Sequence, residues 1–484
     1  MKLVFNIYLI NVFLKKVNFT FKIVVFCFLF GFNPAKAQTE AKISTEIGGY
    51  VGSSNSIPFW HNVNQFGAVP NNSPALLAKI GIHSATDSTH HKHLFEFLYG
   101  FEAFGTVESK SQYNIIEANL GLRIGRFVLS VGRKKEIYGF VDTLLSTGSV
   151  AYSGNSLPIP KVQLSTNGFV DVPFTKRLFA FQGNYAHGWL GETTYSIPFR
   201  NPPVIGSDKI WLHQKSFYLR FGKPHWKLNF MGGFNHQAYW GNERSYLYIG
   251  LSDAEIYKRV VFGVNFLGSK IGNNFGTIDL GMTIKGEKWD KYIYRQSIYD
   301  TGSLLNALNL DALNGIRFRR KSESVGGINI KDILIEYLYT NDQVDPLVTQ
   351  GGGYNSYFNH YVYIDGWTYK GRQLGTPMAV MNKDIKQKDL QARDNYIVNN
   401  RIYALHLATR GNYNDISFLI KGTFSKNEGT YSVPFVKPLY QFSSLIELQK
   451  PLMNRINGKI SLATDIGGLY NNQMGMYFGI SKRW

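Results

Sequence analysis

Apolar and polar side chains alternate most regularly between Ile116 and Val131. One set of alternate positions is apolar: Ile116, Ala118, Leu120, Leu122 and Ile124. The positions between them are polar or small: Glu117, Asn119, Gly121, Arg123 and Gly125. After Gly125-Arg126 the apolar set resumes with Phe127, Leu129 and Val131. Because successive side chains of a strand point to opposite faces, the pattern predicts a β-hairpin with one apolar and one polar face.

The alternation recurs upstream in an aromatic form. One face of the predicted strand carries Phe95, Phe97, Tyr99, Phe101 and Ala103. The opposite face carries Glu96, Gly100 and Glu102. Carboxylates in the core of a soluble protein would need partners, whereas a water-filled lumen accommodates them directly. This arrangement favours a strand between lipid and water.

The connections between the predicted strands fall into two classes. Short turns are expected at Gly125-Arg126, 171–176 and Lys223-Pro224, and long loops at 52–75, 136–160, 191–209 and 341–398. With the start of the chain in the periplasm, all the short turns lie inside and all the long loops outside, as in outer-membrane barrels. Weaker patterns predict strands over 245–251 and 257–268, and a short helix over 303–313. The sequence therefore predicts an all-β fold, a transmembrane antiparallel β-barrel of roughly 18 strands with long extracellular loops.

The first 37 residues have the organisation of a secretory signal. They carry five lysines and no acidic residue, and an apolar run from Val24 to Phe32 precedes Ala35-Lys36-Ala37. A membrane anchor is the alternative, but the apolar run is too short to span a bilayer. We expect residues 1–37 to be a signal peptide and 38–484 to form the barrel. Cys27, the only cysteine, lies in that segment, so the remaining chain has no thiol or disulfide.

Composition and charge limit the class of partner. Hydrophobic residues make up 44% of the chain, diluted by 48 glycines, and no stretch after residue 37 has the ~20 consecutive apolar residues of a spanning helix. The formal net charge is +19, and removing the five signal lysines lowers it to +14. Export argues against nucleic acid. The expected partners are an acidic capsular polysaccharide or exopolysaccharide, and outer-membrane lipid and lipopolysaccharide. A solvated surface without a partner is the alternative.

No pattern in the chain predicts catalysis. There is no Gly-x-Ser-x-Gly motif and no phosphate-binding glycine loop. A metal could bind at His90, His91 and His93, but no carboxylate or thiolate accompanies them, so a solvated turn is favoured. We expect no enzymatic activity, no cofactor and no metal.

Aromatic and basic residues are concentrated in one predicted loop, residues 352–372. Aromatic rings bind the apolar faces of sugars, and adjacent cations bind acidic units. The candidate glycan-binding residues in this loop are Trp367, Tyr369, Lys370, Arg372, Tyr361, Tyr363 and His360. Trp60 in the first loop and Trp240 after a later strand are further candidates. The alternative is an interfacial aromatic girdle combined with loop packing.

The last residues also follow a barrel pattern. Met476, Phe478 and Ile480 alternate toward the terminal Trp484. A last strand that ends in an aromatic residue resembles the signal recognised by the barrel-assembly machinery, which we expect as a partner. Lys482 departs from that signal, since an apolar residue is usual there.

Several short motifs, spread over nearly the whole chain, resemble the Wzi family of capsule-assembly outer-membrane proteins. They are Pro58–Asn64 with Gly67, Gly154–Pro158, Leu212–Lys215 with Tyr218, Gly232–His236 with Trp240-Gly241, Gly366–Arg372 with Gly375 and Pro377, and Asn399–Arg401. The resemblance implies a barrel of about eighteen strands with a partly occluded lumen. It also implies a lectin-like protein that holds capsular polysaccharide at the cell surface without catalysis.

Two other functions remain open on the sequence. The polar inner faces are also compatible with an outer-membrane porin or a sugar-specific channel. A barrel hydrolase is possible if its catalytic residues come from separate strands.

Overall fold

The computed structural model describes residues 41–84, 94–197, 202–241, 243, 250–266, 269–300, 310–322, 326–343 and 355–484. The predicted signal segment and the histidines at 90, 91 and 93 lie outside these residues. Most of the predicted strand at 245–251 and most of the predicted helix at 303–313 also lie outside them. In the described part of the chain, none of the helices is long and apolar enough to cross a membrane.

Antiparallel strands build almost the entire structure. They are β1 (Ala41–Gly52), β2 (Ala75–Ser84), β3 (Phe95–Val107), β4 (Gln112–Ile124), β5 (Phe127–Arg133), β6 (Lys161–Thr166 and Val170–Asp171), β7 (Phe179–Ile197), β8 (Val204–Phe221), β9 (Leu228–Trp240), β10 (Asn273–Ile284), β11 (Trp289–Tyr299), β12 (Ala312–Arg320), β13 (Ile328–Tyr339), β14 (Ile402–Tyr413), β15 (Ile416–Gly429), β16 (Pro434–Met453), β17 (Ile456–Gly467) and β18 (Gln473–Arg483). Two short helices are α1 (Phe59–Asn62) and α2 (Asp253–Phe262).

These strands close into an 18-stranded barrel. Each strand pairs with the next in the chain, and β1 pairs with β18 from Ser44 opposite Arg483 to Gly52 opposite Gly475. The two segments of β6 both pair with β7, so they count as one strand. Full closure leaves no sheet edge unpaired, which a membrane requires. The predicted fold class and the central estimate of the strand number are confirmed.

The apolar set of each strand faces outward and the polar set faces the lumen. Leu120 is 65% exposed, and Leu129 and Phe230 are also exposed. On the inner face Arg123 pairs with Glu96. Outward apolar residues around a closed barrel meet lipid, and aromatic residues such as Trp289 lie at its edges. The protein is therefore an outer-membrane β-barrel.

One residue of the predicted apolar face points the other way. Ile116 is completely buried on the lumen side because β3 and β4 shift register between Glu102 and Ala103. That shift pairs Glu102 with Glu117 and Ala103 with Ile115, leaving Ile116 as the extra residue of a β-bulge. Its assignment to the lipid face was wrong.

Two longer segments also differ from expectation. The predicted strand over 257–268 is wrong, because α2 occupies Asp253–Phe262. The side chain of Ser252 accepts from the backbone of Glu255, and Glu255 caps Ser252 in return, which fixes the helix start. The predicted loop over 191–209 is largely strand, since β7 and β8 remain paired up to Ile197 and Val204.

The ends of the barrel follow the predicted asymmetry. Turns such as Gly125-Arg126 lie at the end that carries the first residue of β1 and the last residue of β18, which is the periplasmic end. The long connections, including 53–74 and 134–160, lie at the extracellular end. Several of these connections turn back into the barrel rather than out toward solvent.

Candidate functional site

Three loop segments fill the lumen, and we call them the plug: residues 57–69, 138–160 and 355–381. Their side chains form one continuous apolar cluster with inward-facing residues of the wall. Trp60 and Leu145 come from the plug, while Tyr294 and Leu334 come from β11 and β13. The lumen is therefore packed like a protein core along much of its length.

Trp367 is at the centre of this packing. Its side chain is 0% exposed, and its ring lies 4.3 Å from that of Tyr239 on β9, nearly parallel to it. Its indole Nε1 donates to the carbonyl oxygen of Ala151 at 2.8 Å. Phe275 on β10 covers another side at 5.8 Å. Trp367 thus fastens two plug segments to the wall.

Polar groups of the wall also hold the plug. Buried Glu336 on β13 accepts hydrogen bonds from the hydroxyl of Ser146 at 2.6 Å and the backbone of Thr147 at 2.8 Å. Asp465 on β17 accepts from the backbone of Phe59 at 2.9 Å. A carboxylate that receives several donors holds a loop firmly, because charge-assisted hydrogen bonds are the stronger ones. These contacts fix the plug at several heights.

The predicted glycan-binding residues occupy different environments. Trp367, Tyr363, Tyr369 and Trp60 are buried within or beneath the plug. Tyr361 is 53% exposed, and Lys370 is exposed. His360 and Arg372 are half-buried, and Trp240 lies on the outer wall of the barrel. The structure brings the loop candidates together, but it covers the rings of the four buried ones. Glycan binding by these residues stays a prediction.

Buried His61 in α1 is the residue that most resembles part of a catalytic pair. Its Nε2 lies 2.9 Å from the hydroxyl oxygen of Ser461 on β17. Its Nδ1 has no hydrogen-bond partner among the described residues, so no carboxylate orients the ring as in a triad. Burial lowers the pKa of His61 to about 4. Both side chains are enclosed, and the pair fits packing better than nucleophilic catalysis.

A cleft at the extracellular end gathers cationic side chains, and we call it the cationic cleft. It has a volume of about 390 Å³ and is bordered by Arg372, Lys383, Lys386 and Lys388. Lys386 and Lys388 are exposed. Asp384 and Asp465 also border it, so four cationic side chains face two carboxylates.

The two half-buried cations of the cleft are fixed by the plug. Arg372 donates from its two terminal nitrogens to the carbonyl and side-chain oxygens of Asn62, each at 3.0 Å. Lys383 donates to the carbonyl of Gly371. Burial lowers the pKa of Lys383, while Asp384 opposes that shift. The plug therefore presents positive charge in a defined geometry toward the cell exterior.

Arg372 is among the residues predicted from the sequence, whereas the lysines at 383, 386 and 388 are not. The sequence signal for these lysines is the segment Lys383–Lys388, which contains three lysines within six residues. This segment lies outside the predicted aromatic loop. Chain folding places it beside Arg372, although eleven positions separate Arg372 from Lys383.

The periplasmic end contains charged groups of both signs. A cavity of about 580 Å³ is lined by Glu46, Lys79, His83 and Lys459 among others. Lys459 lies 3.3 Å from the carboxylate of Glu46. A second cavity at this end, about 570 Å³, reaches Glu136 and Arg317. Acidic and basic side chains alternate on this part of the inner wall.

One group of the described residues has the side chains of a metal site: His83, Glu102 and Glu117. Nε2 of His83 lies 2.9 Å from Glu117, whose other oxygen accepts from the backbone of Lys135. The ammonium of Lys135 pairs with Glu102. Each carboxylate already has a positive or N–H partner, so the group forms an ion-pair network without requiring a metal.

Comparison with known proteins identifies no family. No protein-family model matches the sequence, and no curated protein matches it. Among solved structures, OccK5 (OpdH) of Pseudomonas aeruginosa is similar with 9% identity and a TM-score of 0.47, covering 92% of this chain and 97% of that one. OccAB4 of Acinetobacter baumannii is similar with 12% identity and a TM-score of 0.44, over 93% of this chain and 100% of that one. Similarity at this level does not identify a function. The chain is an 18-stranded antiparallel outer-membrane β-barrel with loops packed in its lumen.

Proposed function

We propose that this protein is a non-enzymatic surface barrel that binds an acidic capsular polysaccharide or exopolysaccharide and retains it at the cell. The cationic cleft carries this proposal. It opens at the extracellular end, it is bordered by four cationic side chains, and the plug beneath it holds Arg372 in place.

The packing of the lumen supports an anchoring function over free diffusion. Trp367 and Tyr363 are completely buried where a porin would hold water. An open diffusion pore needs a continuous aqueous path, and the buried cluster of plug and wall residues interrupts it. A polysaccharide bound at the cleft would remain outside.

Charge supports an acidic ligand. Guanidinium and ammonium groups bind carboxylates through charge-assisted hydrogen bonds. The exposed Lys386 and Lys388 are not held by side-chain hydrogen bonds to other described residues, so they are available to a ligand. Asn71, Asn72 and Asn471 add amide groups at the rim, which suit sugar hydroxyls.

Binding to polygalacturonate and to dextran, measured by surface plasmon resonance with the refolded protein, tests the proposal. We expect binding to the acidic polymer and little binding to the neutral one. Lys386→Glu with Lys388→Glu should weaken binding at least about tenfold, because one charge-assisted hydrogen bond contributes about 1.5–3 kcal/mol. The matched control, Lys227→Glu with Lys288→Glu, changes the same charge on exposed periplasmic positions and should bind like the wild type. Equal binding by both double variants contradicts the assignment.

A substrate-selective channel is the second candidate. The observation that favours it is the pair of cavities at the periplasmic end, about 580 and 570 Å³, with charged walls. A plug that moves would connect them to the cationic cleft. Planar-bilayer recordings separate the two functions, since a channel gives conductance steps without mutation and an anchoring barrel is silent.

A further inference from the structure

Helix α2 lies against the outside of the barrel wall. The hydroxyl of Tyr257, near its middle, is 2.7 Å from the hydroxyl of Tyr185 on β7. The Tyr257 ring also lies 6.0 Å from that of His213 on β8 and 5.1 Å from that of Trp240 on β9. This one side chain of the helix therefore contacts three neighbouring strands.

The contacted wall positions belong to the lipid-facing set. On β8, His213 shares its side of the strand with Phe217 and Phe221, which are exposed. The opposite side carries Tyr218, whose hydroxyl donates to Asp279 in the lumen. Because side chains alternate along a strand, His213 points outward, toward lipid.

The covered wall patch is polar, which explains why a helix is needed there. His213 is 0% exposed, and neither of its ring nitrogens has a hydrogen-bond partner among the described residues. Lys215 donates to the carbonyl of Val261 at the C-terminal end of α2. A cation at that end is favourable for the helix dipole. Direct contact of these groups with acyl chains would be costly, so α2 separates them from lipid.

The height of the patch can be worked out from the strand. Phe221 is at the periplasmic edge of β8, and His213 precedes it by eight residues, on its extracellular side. With a rise of about 3.4 Å per residue and a tilt of about 40°, His213 is roughly 20 Å above that edge. The apolar band of such barrels is about 25 Å tall. The helix therefore lies at the level of the outer leaflet, just below Trp211 and Trp240.

The free face of α2 has the composition of an interfacial helix. Phe262 is 71% exposed, and Val264 just beyond the helix is also exposed. Lys258 is exposed one turn before Phe262. The two carboxylates of the helix, Asp253 and Glu255, lie in its first turn, where they interact favourably with the positive end of the helix dipole, whereas Lys258 and Phe262 lie in later turns. Apolar residues beside a cation are typical of helices that lie at a membrane surface.

We propose that α2 is an outer-leaflet anchor that binds anionic lipid. Phe262 and Val264 enter the acyl-chain region, and Lys258 contacts a lipid phosphate. The apolar underside, Ile256 and Val260, packs on Ala238 of the wall and holds the helix at that depth. This site is separate from the cationic cleft, and its ligand is a membrane lipid rather than a glycan.

Site-specific quenching tests the proposal. The chain after residue 37 has no cysteine, so single cysteines can be introduced and labelled with a bimane fluorophore. Phe262→Cys is compared with Leu129→Cys on the lipid-facing wall and with Val436→Cys on the extracellular hairpin, each exposed in the wild type. The labelled proteins are reconstituted in phosphatidylcholine vesicles containing brominated phosphatidylcholine, with iodide as the aqueous quencher.

We expect brominated lipid to quench the label at position 262 as strongly as it quenches the label at position 129. Iodide quenching equal to that at position 436 would overturn the proposal. In mixed vesicles, brominated phosphatidylglycerol should be enriched about fivefold near position 262, as expected for about 1 kcal/mol per basic residue at an anionic surface. Lys258→Glu should abolish that enrichment. Both lipids carry a phosphate and only phosphatidylglycerol has a net negative charge, so equal quenching by the two brominated lipids would overturn the preference for anionic lipid.

Discussion

Replacing Trp367 with alanine is expected to open the lumen without unfolding the barrel. Trp367 is completely buried, and it stacks on Tyr239 and donates to Ala151. The backbone ladder of the eighteen strands does not include it. The substitution therefore weakens the contact between plug and wall and leaves the closure of the barrel intact.

The size of the effect follows from the packing and the hydrogen bond that the substitution removes. Truncating a fully buried aromatic side chain to alanine typically destabilises the folded structure by about 3–5 kcal/mol. The carbonyl of Ala151 also loses its donor, which adds about 1 kcal/mol or more. Because the plug is held by a limited number of such contacts, a loss of this size is expected to let the 355–381 segment leave the lumen for part of the time.

Planar-bilayer conductance and limited proteolysis measure the effect. We expect Trp367→Ala to give conductance steps and cleavage within 355–381, while the shift in gel mobility on heating remains that of the wild type. Tyr361→Ala is the matched control, because Tyr361 is in the same segment but 53% exposed. A silent bilayer and an intact plug in the Trp367 variant would refute the assignment of Trp367 as a plug contact.

Three further predictions concern the wall, the plug and the cleft. Leu120→Arg places a charge near the middle of the lipid face and should lower the free energy of unfolding from vesicles by about 2–4 kcal/mol. The control Tyr113→Arg, at the extracellular end of β4, should lower it by about 1 kcal/mol or less. Similar losses for the two variants in urea titrations would contradict the lipid-facing assignment of Leu120. Glu336→Ala should make the segment around Thr147 accessible to protease, because the backbone N–H of Thr147 loses its acceptor. Glu336→Gln should make it less accessible than the alanine variant does, because the amide oxygen still accepts a hydrogen bond. Equal cleavage of the two variants would count against the contact between Glu336 and Thr147. Burial lowers the pKa of Lys383, so its positive charge is lost at a lower pH than that of an ordinary lysine, and binding of polygalacturonate should begin to fall before ordinary lysines titrate. Lys383→Arg should remove this early fall, and a pH profile unchanged by the substitution would exclude Lys383 from the site.

The barrel could be predicted from the sequence because a strand between lipid and water imposes a two-residue period. Leu120, Leu129 and Phe230 follow that period and face outward. The period fails at Ile116, where one extra residue forms a bulge that depends on pairing with Glu102 rather than on local sequence. Register shifts of this kind arise between strands, so a single strand's pattern does not contain them.

Helix α2 shows a different limit. Its sequence contains the start signal Ser252-x-x-Glu255, but its short apolar spacing also fits a strand. Packing of Ile256 and Val260 on the barrel exterior decides in favour of the helix, and that wall does not exist until the barrel has formed. A contact with a distant surface thus overrides an ambiguous local pattern.

The candidate site was predictable in location but not in burial. The aromatic and basic composition of residues 352–372 predicts a binding loop, and Arg372 does border the cationic cleft. A long loop that enters the lumen and one that extends into solvent have similar sequences, since both lack a regular period. Only the wall around Trp367 shows that this ring is covered.

Retention of polysaccharide by intact cells is the decisive measurement for the proposed anchoring function. In a strain of the native host that lacks the gene, acidic polysaccharide should be released into the medium while its total amount is unchanged. Complementation with the wild-type gene should restore retention, and complementation with Lys386→Glu and Lys388→Glu should not. Full retention of the polysaccharide by cells without the protein would exclude the anchoring function.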